Sequence, residues 1–305
     1  MSFFLLCAIL LTSGTAFATD SPQSATSLLN QGRVDEIIAS LKGKDDAASH
    51  NLLARAYYEE DQSDQAIEQA NKAVELAPNN AEYHLWLGRA YGQKAEKANV
   101  FRQTGLAGKV RDQFEKAVQL DGGNADVRSD LAEYYIDAPG MMGGGVDKAK
   151  AQADAIAGKD PAVAHFIRAK IAEKAKDDAT AEKEYKDAIA ASKTPAEQWL
   201  NLASFYKDRK NNAAMVEAVK KGAAAAHKSG AVLNDAADML FQSGQDLSMA
   251  ADLARKYLAA ADKSEDAPAF KTHVLLGKIL EKQGDKAGAE KEYAAARAMA
   301  KDYKQ

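Results

Sequence analysis

The sequence predicts an all-α solenoid of stacked helical pairs, and three observations predict it. A small residue, usually after Leu, recurs at Ala54, Gly88, Ala132, Ala169, Ala203, Ala237 and Gly277, with steps of 34, 44, 37, 34, 34 and 40. Apolar residues around each marker recur at helical spacing, and a second apolar-periodic stretch follows within the same unit. The composition is 46% hydrophobic but only 7% aromatic, and it is rich in Ala, Lys and Glu, which favours helix over sheet.

Taken in order, the chain opens with an apolar run, Phe3 to Leu11, too short for the roughly 20 residues that span a bilayer. Ala16-Phe17-Ala18 follows, the small-x-small pattern of a signal-peptidase site, so residues 1–18 are expected to be an export signal cut before Thr19. The single cysteine, Cys7, lies inside this segment without the small residues that precede a lipidated cysteine. The mature chain would then hold no thiol, disulfide or cysteine metal site, and no membrane insertion is expected once the signal is removed.

Residues 19–46 read as a short leader and an N-terminal cap. Ser24 to Asn30 forms a small helix, Gly32 breaks it, and Val34, Ile37, Ile38 and Leu41 share one face of a second helix. Residues 47–303 then hold about seven helical pairs. The first is the most regular: Leu53, Ala54 and Tyr57 face one way on its first helix, and Ala66, Ala70 and Ala73 on its second. Pro78 and Pro161 begin turns between pairs, and Gly284-Asp285 reads as a turn within one. Two pairs depart from the period. Extra residues fall within 93–109 in the second pair and 138–146 in the third. Both are expected to be loops that emerge from one end of neighbouring pairs and form a contact face with Phe101, Arg102, Met141 and Met142.

The fullest matches are Leu87-Gly88, Tyr91, Phe114 and Ala117; Trp199, Leu202-Ala203 and Tyr206; and Leu276-Gly277, Gly284-Asp285, Ala289, Tyr293 and Ala296. These residues, at a period of 34, resemble the tetratricopeptide repeat. The resemblance implies a right-handed superhelical solenoid whose first helices line a concave groove. It also implies that the groove binds a protein or peptide. Carried over to this chain, the groove positions give Asn51, Arg55, Arg89, Lys170, Asn201 and Lys278, four of them basic. Arg55 and Arg89 are expected to meet acidic or backbone oxygen groups of the partner.

Catalytic chemistry is not indicated. The stretch Gly140-Met-Met-Gly-Gly-Gly145 lacks the Lys and Ser or Thr of a phosphate loop, and Asp147 reads instead as a helix N-cap. His50, His84, His165 and His273 recur four residues before the marker. Successive copies lie about 10 Å apart, too far for one ion, so these histidines read as fillers of a semi-buried aromatic slot. No metal, cofactor or catalytic group is therefore assigned. A net charge of −4 argues against a surface that holds nucleic acid. The functional expectation is a non-enzymatic, periplasmic or secreted scaffold of the cell envelope. A solute-binding accessory of an envelope transport system is the alternative. A third reading pairs the last helix with a second copy through Ala294, Ala295, Ala298, Met299 and Tyr303.

Overall fold

The computed structural model describes residues 22–303, with the backbone alone at 22–24, 100 and 101. The proposed export signal lies outside the described residues. Within them the chain folds into sixteen α-helices, without strands. The cap is α1 (Pro22–Asn30) and α2 (Val34–Leu41). Seven antiparallel pairs follow. The first four are α3 (Ala47–Glu59) with α4 (Ser63–Leu76), α5 (Ala81–Glu96) with α6 (Val100–Leu120), α7 (Ala125–Asp137) with α8 (Val146–Ile156), and α9 (Pro161–Lys174) with α10 (Asp178–Ala191). The last three are α11 (Ala196–Asp208) with α12 (Asn212–Ala224), α13 (Ala231–Ser243) with α14 (Leu247–Ala259), and α15 (Ala269–Lys282) with α16 (Lys286–Met299).

Every marker residue sits midway along the first helix of its pair, buried against the second. In two pairs that residue is glycine, and an aromatic ring faces it. A Cβ on Gly88 would lie 2.5 Å from the Phe114 ring, and one on Gly277 would lie 2.4 Å from the Tyr293 ring. Such overlap is far inside van der Waals contact, so at these two positions the facing ring leaves no room for a side chain unless it shifts. The other five pairs admit alanine, including the fourth, where Ala169 shares a buried cluster with Tyr185.

Five of the seven pairs turn in one way. The first helix ends in a left-handed residue, Asp61, Lys176, Lys210, Gly244 or Gly284. The next amide then donates back across the helix end, as Gln62 N does to Tyr57 O and Asp285 N to Leu280 O, both at 2.9 Å. These bonds satisfy carbonyls that the helix leaves open. An Asp or Asn, such as Asp177, Asn211, Asp246 or Asp285, then caps four of the second helices.

The second and third pairs are the exceptions. The segment 93–109 is not a loop, as the sequence suggested. It lengthens α5 and α6 to 16 and 21 residues, with Asn99 accepting a hydrogen bond from Arg102 N at 3.2 Å to cap α6. Gly105 and Gly108, which look like loop residues, face open space on this helix. The segment 138–146 does enlarge a turn. It forms a 3-10 turn at Gly140–Met142, held by Tyr134 Oη donating to Met142 O at 2.6 Å. Asp147 lies within the first turn of α8 and makes no cap bond, so the N-cap reading is corrected to a charge favoured by the helix N-terminus.

The largest departure from expectation joins the two ends. Phe270, 0% exposed, packs with Val274 and Ala296 against Leu29, Ile37, Leu52, Leu53 and Ala56 in one apolar cluster. Tyr303 meets the Phe270 ring edge-on at 4.9 Å. Lys271 pairs with buried Glu59 at 2.8 Å, and Lys301 N donates to Asp35 at 3.0 Å. The first and last pairs therefore touch, and the solenoid closes into a ring. Met299 and Tyr303, expected to face a second copy, are used inside the chain because the N-terminal cap covers them. Only Ala294 and Ala298 of that proposed stripe remain exposed.

Candidate functional site

The first helices face the interior of the ring, where they enclose a channel of about 900 Å³. Its wall runs along α5, α7, α9 and α11 and is completed by the loops that enter α13 and α15. Nine carboxylates and two cations, Arg89 and Lys228, line it. The expected basic groove is therefore an acidic channel.

The arginines explain the reversal. Arg55 is buried and already neutralised. Its Nη1 lies 2.8 Å from Glu82 Oε1, its Nε donates to Glu265 Oε2 at 2.8 Å, and its Nη2 meets the other Glu265 oxygen. Arg89 holds Asp130 at 2.7 Å. The two guanidinium groups lie 5.1 and 4.9 Å from the Trp86 ring, which Tyr58 meets edge-on at 5.6 Å. Each arginine follows its marker by one residue, and the first helix of the following pair carries an acid within reach. The cations therefore join neighbouring repeats instead of waiting for a ligand, contrary to the expectation that they would meet a partner.

The other predicted residues divide. Asn201 lines the channel. Asn51 is buried; its Nδ2 donates to Glu82 at 3.3 Å, while its Oδ1 has no protein partner. Lys170 acts on Glu133, whose carboxyl is raised above its ordinary range by burial first and by Asp130 second, against the pull of Lys170. Lys278 is exposed and lies outside the channel. Arg102 lines an outer recess with Asp61 and Asp64, also away from the channel. For Phe101 the structure describes only the backbone. Met141 is 87% exposed, whereas Met142 turns inward to line a cavity of about 600 Å³ with Tyr58, Arg89, Phe114 and Tyr134. The two irregular pairs thus do build a recess together, at the rim of the ring beside Arg89.

Channel acids crowd one another. Burial raises Glu197, with Asp126 as the next cause. In a small recess that shares Glu197 and Asp266 with the channel, burial pushes Asp235 to about 6, opposed by a hydrogen bond from Asn234 and assisted by Asp266 and Asp238. The loop that presents Glu265 and Asp266 is pinned from beneath. Buried Tyr257 donates to Ala267 O at 2.6 Å and accepts from Ser264 N at 3.1 Å. Sequence reasoning reached this wall at Arg89 and Asn201 but missed its acidic character, because it weighed the recurring cations. Glu82, Asp121, Asp126, Asp130, Glu197 and Asp266 are spread over several positions of the repeat, so no single column of the register showed them all.

The histidines do occupy the expected slot, but with partners that i,i+4 spacing could not show. His50 meets Gln69, His84 meets Gln113, His165 meets Glu184 and His273 meets Glu292, all between the two helices of a pair at 2.6–2.7 Å. His165, Glu184 and Asp187 bring their ligand atoms within 4.8 Å of one another. Lys183 holds Asp187 at 2.7 Å, which supplies that cluster with a positive charge from the chain itself.

These pairs, the concave wall and the buried markers define a helical-repeat solenoid of the class that presents a binding surface. The family model of the TPR (tetratricopeptide) repeat matches residues 44–94. A thermophilic TPR protein of Thermus thermophilus superposes with a TM-score of 0.51 at 18% identity, covering 61% of this chain and all of that one. Yeast Tom70 superposes with a TM-score of 0.53 at 16% identity, covering 91% of this chain and 56% of its own. No curated protein matches the sequence. Residues 44–94 thus carry the tetratricopeptide-repeat sequence, and the chain as a whole has the fold of tetratricopeptide-repeat solenoids. At these identities the structural likeness speaks to fold alone. Among the described residues no helix is long and apolar enough to cross a membrane.

Proposed function

We propose that this chain is an exported, non-enzymatic scaffold of the cell envelope that holds a protein or peptide against the channel wall. The observation that carries the reading is the continuity of that wall across the first helices of four successive pairs. A repeat surface of this kind recognises an extended partner along its length, through many contacts of modest individual worth. Export is supported by the apolar run, the Ala16-Phe17-Ala18 site and a remainder without cysteine.

A photo-crosslinking residue at Asn201, on the wall, is the test. In envelope fractions it should give a discrete protein adduct, while the same group at Lys183, on the exposed face of α10, should give none. Equal labelling from both positions would overturn the reading. For export, N-terminal sequencing of the mature protein should begin at Thr19. A second reading, a metabolite-binding accessory, draws on the rim cavity of about 600 Å³ beside Met142, a size that suits a small molecule. A ligand-dependent melting shift lost in Met142→Asp would favour it.

A further inference from the structure

Resting on the reading of the channel as a protein-binding surface, we infer that its partner is an extended, lysine- or arginine-rich polypeptide segment. The charge balance is the first observation: of nine lining carboxylates, Asp130 is held by Arg89, and Glu82 and Glu265 by Arg55, which leaves six facing Lys228 alone. Part of that excess has an internal purpose. Asp126 and Glu197 lie in first helical turns, where the helix N-terminus favours an acid. Glu133 and Asp266 have no such role, and no ion pair neutralises either. Concave walls concentrate the field of such groups and attract ions of the opposite sign.

The second observation is independent of charge. Gln198 lines the channel and is only 9% exposed, and its Oε1 finds no donor in the chain. A buried acceptor without a donor costs stability unless something supplies an N–H. A partner's ammonium, guanidinium or backbone amide fits that need, and an acidic ligand does not. The extent of the wall argues for a polypeptide over a small polyamine. Four neighbouring pairs at about 10 Å spacing span about 30 Å, the length of about nine extended residues.

The test uses the full mature chain and fluorescence anisotropy with three labelled peptides of about ten residues: alternating Lys-Ser, alternating Glu-Ser, and Gly-Ser. The Lys-Ser peptide should bind and the other two should not. Glu197→Gln with Asp266→Asn should weaken binding about tenfold or more, and Gln198→Met about fivefold, with helicity and melting retained. Asp64→Asn with Glu68→Gln, on the outer face of α4, should leave binding within about twofold of the parent. The inference is overturned if the outer variant loses as much as the channel variant, if the Lys-Ser peptide fails to bind at low salt, or if spermine competes as well as the peptide does. A Gly-Ser peptide that binds, together with a discrete Asn201 crosslink, would overturn the cationic partner yet leave the scaffold reading intact. Absence of any Asn201 adduct would remove the scaffold reading itself.

Discussion

The seam and the channel are both places where distant parts of the chain face each other across the ring, and they are built on opposite principles. At the seam, Phe270, Val274 and Ala296 interlock with Leu52, Leu53 and Ala56, and Lys271 pairs with buried Glu59. In the channel, carboxylates outnumber cations, and burial raises Glu133 and Glu197. Glu60 apart, the seam is satisfied by the chain and the channel is not. A satisfied surface contributes to stability, while an unsatisfied one gives up some stability for the capacity to bind. That contrast makes the two regions respond to mutation with opposite signs.

The sharpest way to break the contrast is Phe270→Ala. The ring is fully buried between the two ends, and deleting such a side chain typically costs about 3–5 kcal/mol. Because repeat arrays are held by neighbour contacts, the loss should fall on the terminal pairs. Hydrogen exchange should show lost protection in α1–α3 and α15–α16, with α7–α11 unchanged. Uniform loss across the ring would mean that the seam and the rest of the array unfold as one unit. Arg55→Met comes next. It strands Glu265 and Glu82 beside an apolar neighbour, and removing one partner from a largely buried pair costs about 3 kcal/mol. Chemical denaturation gives the number. If Arg55 served a ligand instead of the ring, the cost would be near zero.

How far these regions could be read from sequence differs for a physical reason. The seven markers, the cap and the Gly284-Asp285 turn are local, set by contacts within one pair, and they were legible. So were the two departures from the period, at 93–109 and 138–146, whose pairs line the rim cavity. The helical state of 93–109 was obscured by Gly105 and Gly108, whose usual meaning is a loop. The sign of the channel was missed because Arg55 and Arg89 were visible as charges while their neutralising acids lay on other repeats, 27 and 41 residues away and, for Glu265, 210. Closure itself depends on contacts of that longest range, which no periodicity reports.

Glu60 tests the rule from inside the seam. It is 3% exposed, one of its oxygens has no partner, and burial followed by Asp35 pushes its carboxyl to about 7, with Asp302 adding to the rise and Lys301 opposing it. A raised acid favours its protonated form in the folded state. The folded state therefore carries no penalty below the ordinary value of 4.5, a growing one as pH rises toward 7, and the whole of it above. Glu60→Gln should melt at the same temperature as the parent near pH 4 and higher than the parent at pH 8. A variant that melts lower at pH 8 would show that the carboxylate is satisfied at the seam, as Glu59 is.

Asp235→Asn makes the smallest and most diagnostic change, because Asp235 stands in a small recess beside the channel, with Glu197 and Asp266. Its carboxyl is pushed to about 6 from an ordinary 3.8, by burial first, with Asp266 and Asp238 adding to the rise and Asn234 opposing it. The penalty is absent below 3.8, grows through the window up to about 6, and is complete above it. Parent and variant should therefore melt together near pH 3.5, and the variant slightly higher at pH 8. Salt separates the two causes. Raising ionic strength to about 0.5 M screens repulsion between these carboxylates but leaves the cost of enclosure in place. A difference that shrinks without vanishing matches burial assisted by neighbours. One that vanishes assigns the whole effect to crowding of like charge, and in that case a bound polycation should remove it equally well.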